Sequence, residues 1–255
     1  MYNRALTPDE IKRLYKIGST FVVNKTRQDT LREGLVGHWS FDGPDMSQST
    51  NNVWALDRSG QGNNGVLKNM ATSTARKIGK LGQALSFDGV NDYTHINSPT
   101  GIPDLNGNKT YSAWIKYSSL PTGDNTIMMS RNTCCSAGIY LRVNSTDLVV
   151  SRIGDAETLV STSNRPSVNQ WHHVLYTYDG TTNRLYVDGA EVANSATAPY
   201  AGATNVVYIG TWNETDNFWS GLIDEVRVYN RALAPDEINY LAAELRGMCN
   251  QNSRS

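Results

Sequence analysis

WHHVLYTYDGTTNRLYVDG, residues 171–189, reads as two strands and two turns. Successive side chains of an extended chain point to opposite faces, so Val174, Tyr176 and Tyr178 oppose Trp171, His173 and Leu175. The first strand ends at the turn GTTN and the second at Asp188-Gly189. Gly, Asn and Asp take the positive φ angles that tight hairpin turns demand. Apolar residues on both faces mark central strands rather than exposed edges.

The same grammar extends outward. In YSAWIKY, Tyr111, Ala113, Ile115 and Tyr117 share one face, and Trp114 shares the other with Ser112 and Lys116. Further short strands are expected at 84–87, 93–97, 127–130, 138–143, 148–153, 191–196, 206–209 and 222–229, with turns such as DGVND and TGDN between them. Many short strands with helices only at the ends predict an all-β, two-sheet antiparallel sandwich rather than an α/β fold. A final helix is expected from Pro235 to about Leu245. The composition agrees: 39% hydrophobic, 13 Tyr and 6 Trp supply a core, while only 18% charge argues against a disordered chain.

The ends of the chain repeat each other. Residues 2–14, YNRALTPDEIKRL, match residues 229–241, YNRALAPDEINYL, at ten of thirteen positions. A self-match at a fixed offset is the mark of tandem units. Residues 1–18 therefore read as the closing helix of an upstream repeat, 19–33 as a linker, 34–246 as one whole domain, and 247–255 as a disordered tail. Pro8 suits the first turn of that helix, and Asp9 and Glu10 complement its N-terminus. Its apolar residues Ile11, Leu14, Tyr15 and Ile17 either dock on this domain, dock on another copy, or leave the helix mobile. Neighbouring repeat domains in a longer parent chain are the implied partners, and arrays of this kind bind or space things more often than they catalyse.

Several classes of function are disfavoured. A net charge of −1 without a basic stripe argues against a nucleic-acid partner. No run approaches the roughly 20 apolar residues that span a bilayer, so this segment is not expected to insert in a membrane. Three cysteines, the adjacent Cys134 and Cys135 plus Cys249, allow at most one intrachain disulfide and offer no metal-ligand spacing. The nucleophile elbow G-x-S-x-G and a phosphate-binding loop are both missing. His172 and His173 are neighbours on one strand and do not readily share a metal; His38 and His95 have no helical partner.

GLVGHWSFDG, DRSGQGNNG, GKLGQALSFDGVNDY, WHHVLYTYDGTTNRLYVDG and GLIDEVRVYNRALAPDEI, taken in order, resemble the laminin-G-like domains of bacterial surface proteins. These belong to the concanavalin A-like jelly rolls, and the resemblance covers residues 34 to about 245. It implies a two-sheet jelly roll with a concave face, often a structural calcium ion, and a place on secreted or cell-surface proteins. It does not imply one ligand, because the fold hosts many functions.

The retaining glucanases of that superfamily carry Glu-x-Asp-x-x-Glu, and no such run occurs here. Retaining hydrolysis needs two carboxylates roughly 5–5.5 Å apart. Asp155 and Glu157 have the right parity but no third partner; Asp224 and Glu225 are adjacent and expected on opposite faces. The chain is therefore read as not an enzyme.

Calcium takes six to eight oxygen ligands. By resemblance its site joins the end of the first strand to the last, which maps onto Asp42 and Asp224, with Asp57 or Asn64 completing the shell. For a ligand, the loop TWNETDNFWSG, residues 211–221, is the richest segment. Trp212, Phe218 and Trp219 offer flat apolar faces to a sugar ring, and Asn213, Glu214, Asp216 and Asn217 offer hydrogen-bond acceptors. Alternatively Phe218 and Trp219 plug the core, which leaves Trp212 as the better-exposed aromatic. The expected function is a non-catalytic carbohydrate-binding module of an extracellular or cell-surface bacterial protein, stabilised by calcium, with a glycan or a surface protein as partner. The competing reading is a structural or adhesive repeat.

Overall fold

The computed structural model describes residues 30–49, 52–70, 75–119, 123–132, 138–144, 149–153, 156–160, 166–196 and 202–243, with backbone alone for 149–153, 156–158 and 160. The expected N-terminal helix, nearly all of the linker, Asp155, the three cysteines and the tail lie outside the described residues. Backbone contacts divide the chain into Met1–Glu33 and Gly34–Ser255, and every strand described lies in the second unit.

Among the described residues there are seventeen strands and one α-helix. They are β1 (Leu35–Trp39), β2 (Met46–Gln48), β3 (Val53–Ala55), β4 (Gly65–Lys68), β5 (Arg76–Ile78), β6 (Gln83–Asp88), β7 (Tyr93–Asn97), β8 (Lys109–Lys116) and β9 (Asn125–Arg131). The chain continues with β10 (Gly138–Val143), β11 (Val149–Ile153), β12 (Ala156–Val160), β13 (His172–Tyr178), β14 (Asn183–Val187), β15 (Ala190–Ser195), β16 (Val206–Ile209), β17 (Ser220–Tyr229) and α1 (Pro235–Ala243). An eight-stranded sheet runs β15-β14-β13-β8-β17-β6-β5, with β1 added to β17. A nine-stranded sheet runs β12-β11-β10-β9-β16-β7-β4-β3-β2. All pairings are antiparallel, so the chain is the two-sheet jelly-roll sandwich expected from its sequence.

Alternation places the core. Tyr111, Ala113 and Ile115 of β8 and Val174, Tyr176 and Tyr178 of β13 all enter the layer between the sheets. There they meet Ile96 from β7, Ile139 and Leu141 from β10, and Val207 and Ile209 from β16. Trp114 points to the other side of its sheet, where it is also buried, beside His173. Strands β8 and β13 are central, as the two-sided apolar pattern requires.

The end of the domain departs from plain alternation in two places. Strand β17 carries a bulge between Asp224 and Arg227, with Glu225 in the left-handed region at φ 51°. Helix α1 closes the domain through Leu233, Ile238 and Leu241, all buried. Its first turn is tied by Glu237, which accepts from the Ala234 backbone N–H at 2.8 Å and pairs both oxygens with Arg231 at 2.7 Å.

Candidate functional site

The four residues expected around calcium divide into two places. Asp57 and Asn64 tie their own loop. Asp57 Oδ1 accepts from the backbone N–H of His38 (2.9 Å) and Ser59 (2.8 Å), and Oδ2 from the Ser59 hydroxyl (2.7 Å) and the Asn63 N–H (2.9 Å). Asn64 Oδ1 accepts from the Asp57 N–H at 2.9 Å. Their oxygens are occupied by the protein itself.

Asp42 and Asp224 instead grip one turn, Gly79–Gln83, which joins β5 to β6. Asp42 Oδ1 accepts from the Gln83 N–H at 2.7 Å; Asp224 Oδ2 accepts from those of Lys80 (2.8 Å) and Leu81 (3.0 Å). Asp224 Oδ1 and Gln83 Oε1 are buried acceptors with no hydrogen-bond partner. Burial pushes the Asp224 carboxyl up to about 8, with Glu225 adding in the same direction and the turn N–H groups opposing. Among the described residues, no group of three or more His, Cys, Asp or Glu is placed to hold a metal ion. Any cation here would rest on mixed oxygens around this turn.

The turn has no room for a side chain at Gly82. Its φ is +48°, and a Cβ would stand 2.0 Å from Asp42 Oδ1. Gly82→Ala is therefore expected to displace the Asp42 carboxylate and destabilise the domain by about 2–4 kcal/mol, combining left-handed strain with overpacking. Urea unfolding of the variant measures this directly; an unchanged midpoint would mean that Asp42 does not hold the turn.

One expectation about the last strand is corrected. Asp224 and Glu225 do not point to opposite faces. Ile223 and Val226 both enter the core, and the bulge turns the two residues between them away from it together. Glu225 then accepts from His38 Nε2 at 2.9 Å and pairs with Arg227, and these charges hold its carboxyl below the usual range despite its burial. The pair is sealed, at 0% and 5% exposure.

His172 and His173 have separate environments. His172 Nδ1 lies 2.7 Å from Asp188 Oδ2. His173 packs on Trp114 with ring centroids 5.3 Å apart, neither ring nitrogen bonded, and burial presses its pKa down to about 3.

The residues expected to bind a ligand also separate. Trp219 is wholly buried and meets Tyr117 edge-on at 5.9 Å, so it belongs to the core. Asn213 Oδ1 accepts from the N–H groups of Thr215 (3.0 Å) and Asp216 (3.1 Å), shaping its own turn, while Asp216 is exposed. Trp212 is half-buried, 6.4 Å from the Tyr140 ring. Trp212, Glu214 and Phe218 of this loop reach Tyr140, Tyr208 and Tyr93 on the outer face of the nine-stranded sheet.

That face carries a cluster apart from the main core: Tyr93, Val206 and Tyr208, with Phe218 packed on them. Glu214, at φ 74°, reaches down from the loop and accepts from the Tyr208 hydroxyl at 2.9 Å; its carboxylate is 3.6 Å from His95 Nδ1. His95 stacks at a tilt on Tyr208, 4.9 Å between centroids, and the Arg131 guanidinium lies 5.6 Å from the same Tyr208 ring. Burial, with Glu214 beside it, raises the Tyr208 hydroxyl to about 12, while burial lowers His95. In the sequence His95 stands as a lone histidine and Tyr208 as one residue of a short strand, because Glu214, which joins them, sits on a separate loop and sheet register brings the two rings together.

Residues 88–239 match the family Laminin_G_3, of the concanavalin A-like lectin/glucanases superfamily. The match covers more than half of the chain, and the chain belongs to this family. Comparison with curated proteins gives no match. Among solved structures, domain 4 of the extracellular GH43 arabinanase AbnA from Geobacillus stearothermophilus, in complex with arabinotriose, is 23% identical with a TM-score of 0.58. That similarity covers 82% of this chain and 98% of that one. Trypanosoma rangeli sialidase with the inhibitor DANA is 19% identical at a TM-score of 0.59, over 82% of this chain and 32% of that one. An HCR/D mutant protein is 14% identical at 0.61, over 84% and 52%. The chain thus spans about half or less of two of these three, and at such identities the likeness is one of fold. Glycosidases and separate domains both carry it. Among the described residues no helix is long and apolar enough to cross a membrane.

Proposed function

We propose that the domain is a non-catalytic carbohydrate-binding module of a secreted or cell-surface protein. The observation that carries this reading is the accessible His95–Glu214 pair on the outer face of the nine-stranded sheet, set against the aromatic cluster of Tyr93, Tyr208 and the half-buried Phe218. Sugar sites combine apolar ring faces, which cover the C–H side of a saccharide, with planar polar groups that fix its hydroxyls. The sealed Asp224–Glu225 pair supports binding without hydrolysis. The complex of the arabinanase domain with arabinotriose gives a precedent for saccharide binding on this fold.

A second reading, a structural or adhesive repeat with protein contacts, is favoured by one feature. Trp212 and Glu214 of the loop lie against Tyr140 and Tyr208 on that face, and these two rings are at 4% and 5% exposure. Affinity electrophoresis of the full chain through gels containing plant and bacterial polysaccharides separates the two. Retardation in at least one gel, with no reducing ends released, is expected of the module; free migration in all of them favours the repeat.

Calcium belongs to the same proposal as a structural clasp. Asp42, Gln83 and Asp224 would hold it, an all-oxygen set suited to a hard cation. When bound, the ion would supply the positive charge that the buried Asp224 carboxylate otherwise lacks.

A further inference from the structure

Sheet register lines up residues that the sequence scatters. Ser47 of β2 stands opposite Trp54 of β3, Trp54 opposite Val66 of β4, Val66 opposite His95 of β7, and His95 opposite Tyr208 of β16. Directly opposed residues share a face. Val53, Ala55, Leu67 and Ile96 pack on the core, so the alternate residues Trp54, Val66 and His95 face outward. On β16 and β10 the residues of this row, Tyr208 and Tyr140, are buried, but this end stays more accessible: Trp54, Val66, Lys68 and His95 are half-buried and Ser47 is exposed.

Trp54 and His95 are two strands apart, about 10 Å between backbones. Among the described residues, the row between them holds the short side chain of Val66. An indole, an aliphatic side chain and an imidazole thus stand in one row across this face. Glu214 stands beside His95 with its side chain 40% exposed, and Lys68 lies one step along β4 on the same face. A flat ring and an aliphatic side chain suit the C–H face of a sugar; a carboxylate and an ammonium beside them suit its hydroxyls.

From this alignment we propose that one ring of a neutral saccharide seats over Val66, between Trp54 and the His95–Glu214 pair. The inference rests on the carbohydrate-binding reading and places its primary contact on β3, β4 and β7 rather than in the loop with Trp212. Trp54 supplies the stacking surface. Glu214, held by Tyr208, accepts sugar hydroxyls, and its negative charge disfavours acidic sugars.

Isothermal titration of the full chain tests this, with arabinan, xylan and β-glucan oligosaccharides as neutral probes and oligogalacturonate as the acidic one. Binding of a neutral probe is expected, weakened at least tenfold by Trp54→Ala, weakened by Glu214→Gln, and largely retained in Trp54→Tyr. Thermal melts of each variant separate a lost contact from a lost fold. Neutral-sugar binding that survives Trp54→Ala but disappears in Trp212→Ala would overturn this placement and leave the carbohydrate-binding reading intact. Binding of oligogalacturonate alone would overturn the assignment of ligand class. Absence of binding to every probe would remove the subsite and favour the structural repeat.

Discussion

Trp219→Ala is expected to destabilise the domain by about 3–5 kcal/mol, the usual cost of emptying a buried aromatic site. For a domain of this size that lowers the melting midpoint by on the order of 10 °C. The indole has no exposed surface, its ring meets Tyr117, and its backbone N–H donates to the Gly210 carbonyl at 2.8 Å. Trp219→Phe should recover part of the loss, because a smaller ring refills part of the cavity. Saccharide affinity of the folded Trp219→Phe protein should equal that of the parent. A melt unchanged by the alanine substitution, or affinity that follows the indole rather than the fold, would return Trp219 to the ligand site.

The second large effect is a dependence on pH and calcium centred on Asp224. In the unfolded chain this carboxyl ionises near 3.9; in the folded domain burial holds it up at about 8. The folded state therefore holds the proton more tightly. Its contribution is fully present below pH 4 and is lost as pH rises toward 8, by an amount on the order of several kcal/mol. In EDTA the midpoint of the parent should fall across that window relative to that of Asp224→Asn. His173 works in the opposite sense: its neutral form is favoured on folding, so stability declines as pH drops from about 6.5 toward 3. Lys109 opposes the fall as well, because burial lowers its pKa to about 7 and stability rises as pH passes from there toward 10.5; the difference between the parent and Asp224→Asn is therefore what isolates Asp224. Added calcium should raise the midpoint most at pH 8, where it meets the ionised carboxylate, and should have little effect on Asp224→Asn. A midpoint indifferent to calcium at pH 8 would remove the clasp.

Much of the sandwich is legible in the sequence because alternation in long central strands is a strong signal. YSAWIKY and WHHVLYTY sort their faces correctly, and both lie at the middle of one sheet. The three- and four-residue strands β2 to β5 are too short to show a period. β3 and β4 bring Trp54 and Val66 into the row, and their relation to His95 and Tyr208 exists only after four strands have paired. Parity fails at Asp224 and Glu225 for a definite reason: an inserted residue shifts the alternation, and no pattern of residue types announces a left-handed glutamate. The loop around Trp212 is rich in sugar-binding residue types, yet composition does not tell that Asn213 shapes its own turn while Trp219 fills the core.

The contacts that seat helix α1 also explain what the two ends of the chain have in common. Every buried residue of the segment from 229 to 241, including Tyr229, Leu233, Glu237, Ile238 and Leu241, recurs at the matching position between 2 and 14. The three differences, Thr7 for Ala234, Lys12 for Asn239 and Arg13 for Tyr240, fall where the closing helix is exposed or half-buried. Divergence has been permitted on the wet side of this element and refused on the dry side. The two ends of the sequence thus agree most strictly at the positions that this domain's closing segment buries, and differ in charge where that segment meets water.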